Sequence, residues 1–302
     1  MAIRVTSGMM SMQTLNNLNR NYSNMNKMEN QITTGRKLNK PSDDPVGVTY
    51  ALRYRSELAS NEQYSSNADA AVSWLDFTDS TMQQAGDVMK RLKELTVQAS
   101  SETVPRSGLD AIKLEVDQLK EQMTNIGNSQ IRGKYIFNGQ KYDQAPYELT
   151  STTTSYDQID TDQGAVNYAI GDQSTFQVNT PGSEFFGAST DADNVFKVMD
   201  NLSAALTTGN YSAISAQSAN IESRFTKMQA SLSEVGARTN RVQLVQSRLD
   251  DRNLNLTTLQ SKTEDADIAS LMIQATSAQT IYEAALKSSA QIMQPSLMDF
   301  MR

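Results

Sequence analysis

Residues 214–259 open with Ile214-Ser215-Ala216-Gln217-Ser218-Ala219-Asn220-Ile221-Glu222-Ser223-Arg224-Phe225-Thr226-Lys227-Met228, and the pattern set there decides the fold. Ile214, Ile221, Phe225, Met228, Leu232, Val235, Val242, Val245, Leu249, Leu256 and Leu259 recur at steps of three, four or seven residues, all on one heptad seam. A seam repeating every 3.5 residues requires a long helix packed lengthwise on others. Residues 212–261 as one helix would run roughly 75 Å. The same period appears as Leu109, Ile112, Val116, Leu119, Met123 and Ile126. It returns in both terminal arms. One carries Leu15, Leu18, Tyr22, Met25 and Ile32, interrupted at Glu29. The other carries Ile268, Leu271, Ala275, Ala278, Tyr282, Ala285 and Ile292, with Ser289 in between.

Glycine and proline divide the chain. Residues 9–34 have neither, 48–104 have only Gly86, and 237–302 have only Pro295. Residues 132–192 hold six glycines, two prolines and five of the eleven tyrosines. This layout predicts helical ends around an irregular or β insert. Within the insert, Val166, Tyr168 and Ile170 alternate up to a Gly171-Asp172 turn that leads to Phe176 and Val178, a hairpin pattern. Residues 148–164 read as surface loop. Two breaks separate the arms from the body. Thr34-Gly35-Arg36-Lys37-Leu38-Asn39-Lys40-Pro41-Ser42-Asp43-Asp44-Pro45 cannot continue a helix. At the other end the seam shifts phase between Leu259 and Ile268, and Thr263 is expected to cap the next helix.

Composition narrows the chemistry. The 302 residues include no Cys and no His, which excludes His-based triads, thiol redox pairs, disulfides and the usual zinc sites. With 27 Lys+Arg against 34 Asp+Glu, the net charge of −7 argues against a duplex nucleic-acid binder. No apolar run reaches the length of a membrane span, and Met1-Ala2-Ile3-Arg4-Val5 does not open a cleavable signal. Asp43 and Asp44 in their Pro-flanked turn read as caps rather than metal ligands. Asp157, Asp160 and Asp162 precede Gly164 but miss the spacing of a calcium loop. Arg4, Arg20, Lys27, Arg36, Lys37 and Lys40 have no aromatic platform and read as a solvated or ion-paired face. Trp74 reads as core. No cofactor or metal is expected, and no carboxylate pair stands out as catalytic.

An isolated amphipathic helix is marginal in water, so the arm stripes need partners. Small residues and Met on both arms suit contact with other subunits; ordinary bundle core is the alternative use of the same stripes.

Three segments carry a family resemblance. Thr34–Gly47 is similar to the signature that links arm to rod in the bacterial flagellin family. Tyr64-Ser65-Ser66-Asn67-Ala68, with Ala71-Val72-Ser73-Trp74-Leu75 and Thr78-Asp79, resembles the rod helix that follows it. Asp265–Arg302 resembles the family's terminal arm. Within the family, Arg4–Met10, Lys134–Gly139 and Gln294–Arg302 resemble members that join hook to filament more than members that build the filament.

The resemblance implies a mainly α fold with a long helical-bundle rod domain, residues 45–140 with 193–261. A small β-rich outer domain, 141–192, would be inserted in it. Arms 1–44 and 262–302, coiled-coil in the assembly and disordered in the monomer, would polymerise. Leu15, Leu18, Tyr22, Met25, Ile32, Ile268, Leu271, Ala275, Ala278, Tyr282, Ala285 and Ile292 would then make the subunit interface. Gly35, Leu38, Pro41, Ser42, Asp43, Asp44 and Pro45 would form the hinge. Expected partners are other copies in a ring, an adjacent hook-associated protein and flagellin. A cytosolic chaperone on the C-terminal arm and the flagellar type III export apparatus complete the set, with neither nucleic acid nor membrane. The implied role is structural and extracellular, at the hook–filament junction, after export without a cleaved signal. A short flagellin forming the filament itself is the alternative, and a cytosolic coiled-coil adaptor the rival from another class.

Overall fold

The computed structural model describes residues 7–149 and 155–293. Its helices are α1 (Ser7–Thr34), α2 (Pro45–Ala99), α3 (Arg106–Gly127), the one-turn α4 (Gly182–Phe185), α5 (Val195–Thr208), α6 (Tyr211–Glu264) and α7 (Ile268–Met293). Two antiparallel hairpins complete it. One is β1 (Gln130–Ile131) with β2 (Lys134–Tyr135), the other β3 (Asn167–Gly171) with β4 (Ser174–Gln177). The fold is mainly α, as the seams require, and the second hairpin lies where the alternation places it.

The described residues form two compact units. One is built from residues up to Ser60 together with those from Arg252 onward, the other from Asn61–Asp251. In the second unit, the α6 residues Ile214, Ile221, Met228, Val235, Val242 and Leu249, every seventh position, are all buried. Phe225, Leu232 and Val245 are only partly buried, so this second column forms the rim of the packing. Leu75, Met82, Met89 and Leu92 of α2, and Leu109, Ile112, Val116 and Met123 of α3, close the same core, and Trp74 is buried in it. Phe137, Tyr147, Phe185, Phe186 and Phe196 extend that core into the insert, with the Phe137 and Phe186 rings edge to face at 5.1 Å.

A buried cation ties the insert's last loop to α6. Arg224, 1% exposed, donates to Asp193 at 2.5 Å and Asp191 at 2.9 Å. Burial alone would raise the Asp193 carboxyl. Hydrogen bonds from Lys227, Ser223 and Arg224 outweigh it and lower the pKa to about 2. Beside it, Asn194 caps α5 by accepting from the amides of Phe196 and Lys197.

Two of the carboxylates that precede Gly164 are likewise engaged within the protein. Asp160 accepts from the amide and hydroxyl of Ser189, and Asp162 from the amides of Gln140 and Gly164. Among the described residues no group of three acidic side chains is disposed to hold a metal ion. No described helix is long and apolar enough to cross a membrane.

Candidate assembly site at the paired ends of the chain

The two breaks meet. Gly35 leaves α1 at φ +68°, a conformation costly for any other residue. The three residues after α1 then lie antiparallel to those after α6, with Arg36 opposite Asp265. The Lys37 amide donates to the Glu264 carbonyl at 2.6 Å, and the Ala266 amide to the Gly35 carbonyl at 3.1 Å. The Glu264 side chain is buried at the centre. It receives Arg55 through two bonds, Nε to Oε1 at 2.8 Å and Nη2 to Oε2 at 2.5 Å, and Arg36 lies at 3.7 Å. A bidentate Arg–carboxylate pair fixes direction as well as distance. Both arm roots are therefore held by one carboxylate.

The rest of the N-terminal break is a capped turn. Asp43 accepts from the amides of Asn39 and Lys40 and pairs with Lys27 at 3.0 Å. The Lys27 bond first, then those two amides, hold its carboxyl below the usual range. Asp44 caps α2 through the amides of Val46 and Gly47, and Pro45 takes the first helical position, where a missing N–H costs nothing. Leu38 is buried over Gly47, where an added Cβ would lie 2.8 Å from its Cδ1. Pro41 and Ser42 are exposed at the tip.

The sequence expectation needs one correction here. Thr263 is not a cap: its hydroxyl bonds to the Leu259 carbonyl inside α6, and Asp267 caps α7 by accepting from the Ser270 amide. A Thr hydroxyl readily turns back onto its own helix, which is why the residue type alone misplaced the boundary. The Arg55–Glu264 pair was also missed. Its members are 209 positions apart, and neither stands out locally.

From these roots α1 and α7 run antiparallel and pack on each other, Tyr22 facing Tyr282 with ring centres 6.1 Å apart. Of the seam residues, Leu18, Met25 and Ile32 face inward and are half-buried, as are Leu271, Ala275, Ala278, Tyr282 and Ala285. Ser289 is buried among them, with its hydroxyl satisfied by the Ala285 carbonyl. Leu15, Tyr22 and Ile268 remain exposed, and the side chain of Ile292 lies outside the described residues. So do Arg4–Thr6 and Gln294–Arg302.

The same helices expose a second apolar set: Met9, Met10 and Met12 on α1, and Met272, Ile273, Ile281 and Leu286 on α7. Ile273 is 73% exposed and Ile281 54%. Open grooves of about 580 and 410 Å³ flank the pair, the first by Met25, Met272 and Tyr282, the second by Met28, Ile273 and Ile281. A two-helix pair with apolar side chains outside its own seam is built to be covered further.

Comparison with known proteins matches both ends. Residues 5–142 fit the bacterial flagellin N-terminal helical region, and residues 218–301 the bacterial flagellin C-terminal helical region. Flagellar hook-associated protein 3 of Escherichia coli strain K12 is 24% identical over 213 residues, 68% of this chain and 67% of that protein. Flagellin of the same strain is 25% identical over 214 residues, 69% of this chain but 43% of the flagellin. Among solved structures, the flagellar junction protein FlgL of Legionella pneumophila shares the fold at a TM-score of 0.58. It is 14% identical, and the match covers 73% of this chain and all of that one.

Proposed function

The chain belongs to the flagellin family, and from that membership we propose that it is the structural subunit joining the flagellar hook to the filament. The observation that carries this reading is the balance of coverage. The match to hook-associated protein 3 spans about two thirds of both chains, whereas the flagellin match leaves more than half of the flagellin unmatched.

In this reading the α1–α7 pair forms an inner layer against neighbouring copies, through its exposed set Met272, Ile273, Ile281 and Leu286 and the predicted Leu15, Tyr22 and Ile268. Residues 45–140 with 193–261 act as the rod and residues 141–192 as an outer face. Identical subunits form a ring, bounded by a hook-associated protein on one side and flagellin on the other. The role is mechanical, with no catalytic step and no cofactor. The exposed apolar arm surface is an aggregation hazard until covered. That supports export in an unfolded state through the flagellar type III apparatus, and a cytosolic chaperone on the C-terminal arm. The protein then acts outside the cell.

Immunogold labelling of isolated flagella tests this. A single short band at the distal end of the hook supports the junction; labelling along the whole filament would identify a short flagellin instead.

A further inference from the structure

All the sulfur in this chain is thioether: it has fifteen methionines and no cysteine. The two compact units hold them in opposite ways. In the second unit Met82, Met89, Met123, Met199 and Met228 are all at most 2% exposed. In the first, Met9, Met10, Met12 and Met272 are 44–66% exposed, and Met25 and Met28 are half-buried. The side chains of the other four lie outside the described residues. Oxidation at sulfur follows access, and no thiol is present to take the oxidant first. Among the described residues, the reactive sulfur is therefore confined to the paired ends of the chain.

These methionines also build the surface that lacks a cover. Met25 and Met272 line the larger groove beside the α1–α7 pair, and Met28 lines the smaller. A thioether is apolar and adaptable, and suits burial under a neighbour. A sulfoxide does not, because its oxygen is a hydrogen-bond acceptor that needs a donor. In the larger groove the Thr33 and Thr276 hydroxyls already donate to the Glu29 and Met272 carbonyls, at 2.8 and 2.9 Å. The Glu29 and Glu283 carboxylates on the same wall only accept. Once a neighbour displaces the water, a sulfoxide at Met272 sits among acceptors.

We propose that the arm methionines, Met272 foremost with Met25 and Met28, are an oxidation site that gates assembly: sulfoxide formation in the free chain blocks packing against other copies and leaves the second unit folded. The oxidant class is a peroxide. With hydrogen peroxide the sulfur lone pair attacks one oxygen, so that an S–O bond forms as the O–O bond breaks. The departing hydroxide takes the proton of the transferred oxygen and leaves as water. Sulfur gives up two electrons and the peroxide gains them. Packing covers the same sulfurs, so chains already incorporated are protected. The inference rests on the reading that the arms pack against other copies in the flagellum.

The test treats the purified full-length chain with hydrogen peroxide, removes the oxidant and locates added oxygen by peptide mass spectrometry. Treated and untreated chains are then added to hook-bearing cells of a deletion strain, and the chain bound to isolated flagella is measured. Oxygen is expected on Met272, Met25 and Met28 and not on the five methionines of the second unit, whose thermal unfolding is unchanged. Binding should fall about tenfold or more, the effect of one buried acceptor left without a donor, and methionine sulfoxide reductase should restore it. The combined variant Met25→Leu, Met28→Leu and Met272→Leu should bind equally with and without peroxide. Oxidised wild-type chain that binds as well as untreated chain overturns the proposal, as does a leucine variant that peroxide still disables. If that variant does not bind even untreated, the reductase decides: recovery of the oxidised wild type upholds the proposal, and no recovery overturns it. Untreated wild-type chain that binds nowhere on flagella overturns the assembly reading, and the inference with it.

Discussion

Ile281→Asp separates the arm pair's own packing from its packing in an assembly. Ile281 is 54% exposed on the outer face of α7, so the change leaves the α1–α7 seam intact. Surface substitutions of this kind move stability by about 0.5 kcal/mol or less, and Asp and Ile differ little in helix propensity. In the assembled state the balance differs. Burying the exposed half of an isoleucine contributes about 1–1.5 kcal/mol, and an unpaired carboxylate there costs several more. A total of roughly 4 kcal/mol weakens each subunit contact about a thousandfold. The assay pairs thermal unfolding of the purified chain with quantification of the variant on isolated flagella. The melting curve should stay within a few degrees of wild type while incorporation is lost. Leu271→Asp, which faces α1, should disturb both. Incorporation of a normally folded Ile281→Asp chain at wild-type abundance would refute the reasoning.

Glu264→Gln should remove the charge from the clasp and cost about 1.5–3 kcal/mol, read as faster amide exchange at Lys37 and Ala266 with the second unit unaffected. Arg224→Ala removes the buried guanidinium from Asp191 and Asp193, leaves Asp193 on Lys227 and Ser223 alone, and should destabilise that unit by about 2–3 kcal/mol in urea unfolding; Arg224→Met together with Asp193→Leu should recover most of it. Because the Asp193 carboxyl is depressed to about 2 in the fold, its contribution is complete above about pH 4 and fades as pH falls toward 2. That contribution is about 2 kcal/mol, so an Asp193→Asn chain should show a flatter loss of stability across this range in acid titrations followed by circular dichroism. The Asp43 carboxyl is also lowered, by its bonds from Lys27, Lys40 and Asn39, so the N-terminal turn should loosen as acid protonates it, seen as faster exchange at the Asn39 and Lys40 amides.

The helices were legible because their signal is local and redundant. The column Ile214, Ile221, Met228, Val235, Val242 and Leu249 repeats one instruction six times, and all six are buried. The breaks were legible from Gly35, Pro41 and Pro45, whose backbones leave few choices. What periodicity could not decide is which partner covers a stripe. Leu18 and Leu271 turn toward the other arm, while Ile273 and Ile281, off the seam, are left exposed. The long-range ion pairs of Glu264 with Arg55, and of Arg224 with Asp193, leave no local trace. Each depends on two distant segments meeting, and single charged residues in a sequence one-fifth charged do not announce it.

The junction role is tested most directly by deleting the gene and following flagellin. Hooks lacking filaments, with flagellin monomers accumulating in the medium and filaments restored by the wild-type chain, are the predicted result. Filaments of normal length on the deletion strain would contradict it.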